Sequence, residues 1–256
     1  MIWNPWQGTA ALLLLVSLLA PRAALAQEPY RLGGVEPLLN DQKKVVDLLV
    51  ARRWQEARSL ARQQFLVLAG YADQYPASVA AGLVLEALAD AGLGDEGAAL
   101  CRWEAAQQLD PHFIKADLSP FGAPGALLGG HPLKEPGAWE PEPLKLSEAD
   151  REKTAKEAHE VQKPEVLSHS LPQYPLAARK ARVEGRVVVE AILGEDGNVL
   201  KARVLQDQRL GLGLSAVEAV CGWRFKPATL DGKVVKVYYV LTVSFKLEKG
   251  PGISGP

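Results

Sequence analysis

The sequence is poor in the residues from which several common kinds of site are built. Its 256 residues include one methionine, the initiator, two cysteines and four histidines. Two cysteines alone cannot form a structural zinc site, and the histidines show no metal-ligand spacing. A single methionine excludes a Met-rich adaptable surface. The net charge of −1 argues against a general nucleic-acid binder, whose affinity comes largely from neutralising phosphates.

Common catalytic patterns are also absent. The chain has no Gly-x-Ser-x-Gly, His-Glu-x-x-His or phosphate-loop pattern, and these are the local signatures of several enzyme classes. The histidines lie in proline-rich or charged stretches, and only His169 lies near the C-terminal region. We therefore expect no catalytic residue, no cofactor, no metal and no small-molecule substrate, and a protein that is not an enzyme.

Long hydrophobic runs are missing beyond one near the N-terminus. Residues 10–20 form an uncharged core of 11 residues, which Pro21-Arg22 ends and the small-x-small sequence of 24–26 follows. A membrane span needs about 20 apolar residues, so residues 1–26 are interpreted as a cleavable signal peptide. An uncleaved anchor is the alternative. No cysteine directly follows the cleavage site, so there is no lipobox.

Export would place the two cysteines in an oxidising or cell-envelope compartment. Cys101 and Cys221 lie in separate apolar helical stretches, and in that compartment they can pair. Residue type alone favours the interpretation that the two cysteines are small buried residues that do not pair.

Residues 40–116 are predicted to form an all-α domain after an extended segment at 27–39. Apolar residues at helical spacing indicate two helical hairpins,. The first helix is expected to be capped at Asn40 or Asp41, and the second to run from Trp54 towards Tyr75,. The third is expected from Pro76 to Gly92 and the fourth from 95 to 109.

The second hairpin resembles a tetratricopeptide (TPR) unit. Small residues at Ala99 and Ala106, the aromatic Trp103 and the closing Pro111 have the spacing of that repeat's second helix and turn,. Small residues let helices approach, and an aromatic side chain fills the groove between them. We call this domain TPR-like and expect it to serve binding or spacing. A generic four-helix packing unit is the alternative.

Prolines and glycines dominate residues 117–164, which are predicted to be a linker. Their density opposes regular structure. From 147 to 163 the linker becomes charged on all faces, which is typical of a solvated spacer or helix. Residues 249–256 are expected to be a disordered tail.

Residues 165–248 are predicted to form a small α+β domain. An extended stretch precedes a short helix at 176–181, a strand at 185–193, a turn at 195–198 and a strand at 199–206,. A helix at 212–222 and a long last strand from Val234 to Leu247 follow. Odd-numbered positions from Val235 onwards give that strand one apolar face. The element order predicts a three-stranded antiparallel sheet with two short helices on one face.

Several short motifs in this domain follow one another in an order that is typical of one protein family. They are Gln173-Tyr174-Pro175, Val183-Glu184-Gly185, Asp196-Gly197, Trp223-Arg224-Phe225-Lys226-Pro227 and Asp231-Gly232-Lys233. In sequence and separation they resemble the C-terminal domain of the TonB energy-transducer family. In the 223–227 stretch, alternation places the aromatic and basic side chains on opposite faces. Trp223 and Phe225 are therefore predicted core residues, and a nucleic-acid surface is excluded.

The resemblance implies a periplasmic interaction domain whose last strand receives an extended segment, the TonB box, of a TonB-dependent outer-membrane transporter. An unpaired edge strand is a template for such an extended peptide. The residues that the resemblance assigns to partner binding are Gln173, Tyr174, Val235, Lys236, Val237, Tyr238, Tyr239, Val240, Leu241, Thr242 and Val243. An exposed edge also allows two copies to pair as a homodimer.

Two departures from the family leave the function open. A short signal stands where the transducer has a membrane helix, and a helical domain stands where it has a proline-rich spacer. We expect a TonB-like envelope adaptor with a second protein contact on the helical domain. A membrane-anchored transducer with an uncleaved N-terminus and a scaffold that works mainly through the helical domain are the alternatives.

Overall fold

The structure is a computed structural model that describes residues 36–111, 116–132 and 161–247. The predicted signal peptide, residues 27–35, the linker from 133 to 160 and the tail from 248 lie outside the described residues. We call the described residues up to 132 the helical half, and residues 161–247 the C-terminal domain.

Four helices form two antiparallel hairpins in the helical half. They are α1 (Glu36–Val50), α2 (Trp54–Leu68), α3 (Pro76–Gly92) and α4 (Glu96–Leu109). Helix α3 lies at the centre and packs against the other three, so every residue from Ser78 to Asp90 is buried. The Asp95 carboxylate caps α4 by accepting a hydrogen bond from the N–H of Ala98 at 3.2 Å,. The two predicted hairpins are confirmed.

Two helix ends differ from the prediction. Helix α1 begins at Glu36, so a cap at Asn40 or Asp41 and an extended segment up to 39 are wrong. A proline in the first turn does not end a helix, because the N–H that it lacks has no intrahelical partner there. Helix α2 ends at Leu68 and a 3₁₀ turn, Ala69–Tyr71, follows, so it does not continue to residue 75.

A short helix lies where the sequence predicts a structureless linker. A 3₁₀ turn, Ser119–Phe121, leads into α5 (Ala123–Gly129), which packs against α3. Leu118, Phe121 and Leu128 are buried. Gly122 has a φ of +62° and a proline lies in the first turn of α5, so these two residues start a helix here and do not prevent one.

The C-terminal domain contains the predicted sheet. Strands β3 (Gly185–Leu193), β4 (Val199–Gln206) and β8 (Val237–Phe245) form an antiparallel sheet in the order β4-β3-β8. Helices α6 (Leu176–Lys180) and α7 (Leu212–Cys221) accompany it, and α7 packs against β3 and β4. The predicted helix–strand–strand–helix–strand order is confirmed.

Five short strands complete the domain. β2 (Glu165–Ser168) pairs with β5 (Arg224–Lys226), while β6 (Ala228–Leu230) pairs with both β1 (Val161–Gln162) and β7 (Lys233–Val235). The predicted last strand from 234 to 247 is therefore divided at Lys236, because residues 233–235 turn back onto β6. None of the helices that the structure describes combines the length and the hydrophobicity of a membrane span.

Candidate functional site

Within the described residues, the last strand of the sheet, β8, has one paired edge and one unpaired edge. β8 pairs with β3 from Gly185↔Phe245 to Leu193↔Val237 without a register break. Within the described ranges, no strand pairs with the opposite edge of β8. On an edge strand, the N–H and C=O groups of alternate residues point away from the sheet. This edge can therefore accept an extended peptide through main-chain hydrogen bonds.

Side chains along β8 alternate between core and solvent. Leu241, Val243 and Phe245 are buried, whereas Val240 is 54% exposed and Thr242 is also exposed. The predicted apolar face is confirmed. A peptide paired to this edge would keep the same alternation, so its own side chains would meet one apolar and one solvent-exposed surface.

The helical half covers the other edge strand of the sheet. Helix α4 packs against β4, and the Glu104 carboxylate lies 2.8 Å from Lys201 Nζ. Gly97 approaches Asn198 so closely that a Cβ at Gly97 would lie 2.9 Å from the Asn198 side chain. In the part of the chain that the structure describes, β8 is thus the accessible edge of this sheet.

Aromatic rings support β8 from behind. Phe225 is 1% exposed and meets Tyr239 edge to face, with ring centroids 5.7 Å apart. Tyr174 meets Phe245 in the same geometry at 5.5 Å. Such pairs contribute about 0.5–1.5 kcal/mol beyond the burial of their area. Trp223 is only half-buried, at the edge of this aromatic group, and its indole N–H donates to the Ser170 carbonyl at 3.0 Å.

Turn residues hold the strands in register. Asp196 accepts a hydrogen bond from the backbone N–H of Asn198 at 3.0 Å, and Gly197 adopts a φ of +80°. The Phe225 N–H donates to the Gly197 carbonyl at 2.9 Å, which joins the β3–β4 turn to β5. Gly232, with a φ of +76°, turns the chain between β6 and β7. Three other residues of the family motifs, Pro175, Gly185 and Pro227, lie at element boundaries.

The residues assigned to partner binding fall on different surfaces. Positions 237–243 lie on β8, but Val235 belongs to β7 and Lys236 separates the two strands. Tyr174 lies against Phe245 at the end of β8. Gln173 instead lines a groove against α2 in the helical half. The structure therefore joins Tyr174 to the strand and places the Gln173 side chain in a separate site.

A buried group of charges joins the helical half to the C-terminal domain. Arg102 on α4, 1% exposed, lies 2.5 Å from Asp90, 3.3 Å from Glu86 and 3.1 Å from Glu218. Arg62 pairs with Glu86 at 3.1 Å and also with Glu218. Arg58, at the rim, lies 3.1 Å from Asp90. We call these six residues the ionic cluster, in which Glu218 on α7 is the contribution of the C-terminal domain.

The pKa values of two carboxyl groups in the ionic cluster shift in opposite directions. Loss of hydration raises the pKa of Glu86 to about 8, against the attraction of Arg102,. Burial also opposes ionisation of Glu218, but Arg102 and Arg62 outweigh it, so its pKa is lowered. Burial therefore disfavours the ionised form of Glu86, whereas the two arginines favour the ionised form of Glu218.

A disulfide crosses the same boundary. Cys101 on α4 and Cys221, the last residue of α7, are bonded, with their Cα atoms 5.5 Å apart. The expectation of two unpaired buried cysteines is wrong, because α7 packs directly against α4. The bond, the ionic cluster and a continuous apolar core make the two halves a single packed body.

Sequence reasoning missed the ionic cluster, although a signal for it was present. Glu86 and Asp90 interrupt an apolar helix one turn apart, and Glu218 interrupts another. A charged residue in an otherwise apolar helix face is almost never fully buried unless it is paired, and these residues are 0%, 0% and 1% exposed. The pattern therefore indicates burial with arginines, but not which arginines.

The C-terminal domain is similar in sequence to known proteins. Residues 170–247 match the family described as Gram-negative bacterial TonB protein C-terminal. "Protein TonB" of Vibrio cholerae serotype O1 (strain ATCC 39315 / El Tor Inaba N16961) is 39% identical over 90 residues, which are 34% of this chain and 37% of that protein. The chain thus matches little more than a third of the length of this curated relative. The family resemblance is confirmed, and the helical half lies outside the family match.

Proposed function

We propose that the chain, whose residues 170–247 match the TonB C-terminal family, is a cell-envelope protein that binds an extended segment of an outer-membrane transporter by strand addition to β8. The observation that carries this proposal is the open edge of β8 beside a sheet whose other edge strand is covered. Such pairing gives affinity through the main chain and specificity through alternate side chains. No catalytic role is proposed.

The edge is held rigid before a partner arrives. Behind β8, Phe225 and Tyr174 pack against its inward-facing rings, and β3 pairs with all nine of its residues. A strand that is already ordered loses little conformational freedom on binding, which favours affinity. Only the incoming segment would have to become extended.

The helical half stiffens the site and offers a second protein contact. Its α4 covers β4, and the Cys101–Cys221 bond and the ionic cluster fix it to α7. Any pull on β8 would therefore be passed to the helical half as to one body. The buried small residues of the α3–α4 hairpin, including Ala87, Ala99 and Ala106, support the TPR-like interpretation of its packing.

The proposed location is the periplasm after removal of residues 1–26. A membrane-anchored energy transducer is the second candidate, favoured by the identity to a protein named TonB. N-terminal sequencing of the chain from cell envelopes separates the two. A terminus at Gln27 supports the exported adaptor, and an intact Met1 on membrane-extracted protein supports the anchored transducer.

Hydrogen exchange of backbone amides tests strand addition on the full mature chain. The fragment 163–248 is not a suitable sample, because its core and disulfide are shared with the helical half. In the free protein, alternate amides of 237–245 that bond to β3 should exchange slowly and the intervening ones fast. A saturating TonB-box-like peptide should slow the fast set about tenfold or more, because hydrogen-bonded amides exchange only on opening.

Two controls make the exchange result specific. A peptide of the same composition with N-methylated alternate amides cannot form the ladder and should leave the fast set unchanged. Amides of β4 (199–206) should not respond. Protection confined to β4 or to the helical half would refute strand addition to β8. If the β8 amides that do not bond to β3 are protected without peptide, and more so at higher protein concentration, two copies pair edge to edge instead.

A further inference from the structure

A polar groove runs along α2 where the segment before α6 crosses it. Its volume is about 310 Å³ and its lining is Gln55, Arg58, Ser59, Arg62, Gln63 and Gln173. The five α2 residues recur at intervals of three and four, so they form one face of the helix. The lining contains two guanidinium groups, three amides and a hydroxyl, and no carboxylate.

The two guanidinium groups are fixed in place from below. Arg58 Nε lies 3.1 Å from Asp90, and Arg62 Nε donates to Glu86 at 3.2 Å. Their side chains remain 30% and 20% exposed. A guanidinium has five N–H donors, so each group has further donors for a ligand. An arginine oriented in this way loses less freedom on binding than one on an open surface.

The charged groups exposed in the groove are positive. The ionic cluster contains three arginines, Arg58, Arg62 and Arg102, and three carboxyl groups. The carboxyl groups belong to Glu86, Asp90 and Glu218, which are 0%, 0% and 1% exposed. The exposed arginines are the two that line the groove. The charge of this site is therefore complementary to an anion.

We propose that this groove binds an acidic segment of a partner polypeptide, whose Asp or Glu carboxylate accepts hydrogen bonds from Arg58 and Arg62. The amides of Gln55, Gln63 and Gln173 surround the arginines and can both donate to and accept from a peptide backbone. A bare anion could accept from the NH₂ groups of these amides but would offer no donor to their carbonyl oxygens. The inference deepens the proposed function, because it supplies the second protein contact of the helical half.

Titration of the ¹⁵N-labelled full mature chain with a capped Asp/Gly decapeptide tests the site. The expected result is shifts of α2 amides near 55–63 that saturate in the millimolar range and weaken with salt. The Asn/Gly counterpart should not bind. Inorganic phosphate is the competing probe. Saturation by phosphate at equal or lower concentration would overturn the peptide assignment, and equal binding of the Asn/Gly peptide would overturn the role of charge.

A matched pair of isosteric substitutions tests the location. Gln63→Glu places a carboxylate in the groove, whereas Gln74→Glu adds the same charge at an exposed position outside it. Gln63→Glu should lower the affinity for the acidic peptide about fivefold or more, because the new carboxylate repels the peptide's own carboxylates. Gln74→Glu should leave this affinity nearly unchanged. Equal effects of the two would refute the groove as the site. The amide shifts of this experiment are read on α2. A negative result would therefore not contradict strand addition at β8, and a negative result at β8 would not contradict peptide binding in the groove.

Discussion

Removal of the Cys101–Cys221 disulfide should destabilise the protein strongly. The bond joins α4 to α7 across 120 residues of chain. The sequence contains no other cysteine, so a reductant and the double substitution Cys101→Ala/Cys221→Ala act on the same bond. Both sulfur positions are buried, and alanine leaves no unsatisfied polar group there.

The size of the effect follows from the loop that the bond closes. Cross-linking restricts the unfolded chain, and a loop of 120 residues corresponds to about 5 kcal/mol in the chain-entropy model. The folded halves remain in contact through the core and the ionic cluster. The expected loss is therefore about 3–5 kcal/mol of unfolding free energy, with the fold retained.

Denaturant unfolding followed by tryptophan fluorescence measures this loss. Trp103 reports on the helical half and Trp223 on the C-terminal domain. The reduced wild type and the double alanine variant should unfold at the same, lower denaturant concentration than the oxidised wild type. Two titratable thiols in the unreduced protein, or a loss below about 1 kcal/mol, would refute the argument.

Three further changes probe the charges and the turns. Glu218→Ala leaves the buried Arg102 and the part-exposed Arg62 underpaired and should cost about 3–5 kcal/mol of unfolding free energy, whereas Lys226→Ala breaks an exposed pair and should cost less than about 1 kcal/mol. The pKa of Glu86 is raised from 4.5 to about 8 in the folded state, so its contribution is present below pH 4.5 and is lost as pH rises to about 8. Glu86→Gln should flatten that part of the stability–pH curve. Gly197 and Gly94 have similar positive φ values, +80° and +82°, but only at Gly197 would a Cβ overlap a neighbouring carbonyl. Gly94→Ala should cost about 1 kcal/mol and Gly197→Ala clearly more.

The same denaturant assay decides each of these. Equal losses for Glu218→Ala and Lys226→Ala would show that burial does not control how much the ion pairs contribute to the free energy of unfolding. A stability–pH curve that Glu86→Gln leaves unchanged would contradict the raised pKa. Equal losses for the two glycine substitutions would show that the close approach of the Gly197 turn to β5 does not matter.

Local patterns predicted most of the C-terminal domain. The bounds of β3 and β4 agree with prediction, because β-branched runs and the Asp196-Gly197 turn are local signals,. The predictions failed where a partner decides the outcome. Residues 161–162 and 224–226 form strands because distant segments pair with them, and their lengths are too short to carry a periodic signal.

The candidate site also has a part that local patterns predicted and a part that only tertiary contacts decided. Alternation placed Leu241 and Val243 inside and Thr242 outside, since the two-residue period of a strand is a property of the chain itself. The division of the strand at Lys236 and the position of Gln173 on the α2 groove depend on which surfaces meet. No local pattern contains that information.

The sequence by itself determined the two kinds of domain, the family motifs and the face of β8 that is buried. These depend on helical and strand periodicity and on turn residues, which act over a few positions. Only the tertiary structure decided that α4 meets α7, which creates the disulfide and buries Arg102 with Glu218. Among the described residues, the same packing covers β4 and leaves the outer edge of β8 unpaired. A sequence period shows which face of an element is apolar, but the partner of that face is selected by the sum of contacts across the whole fold.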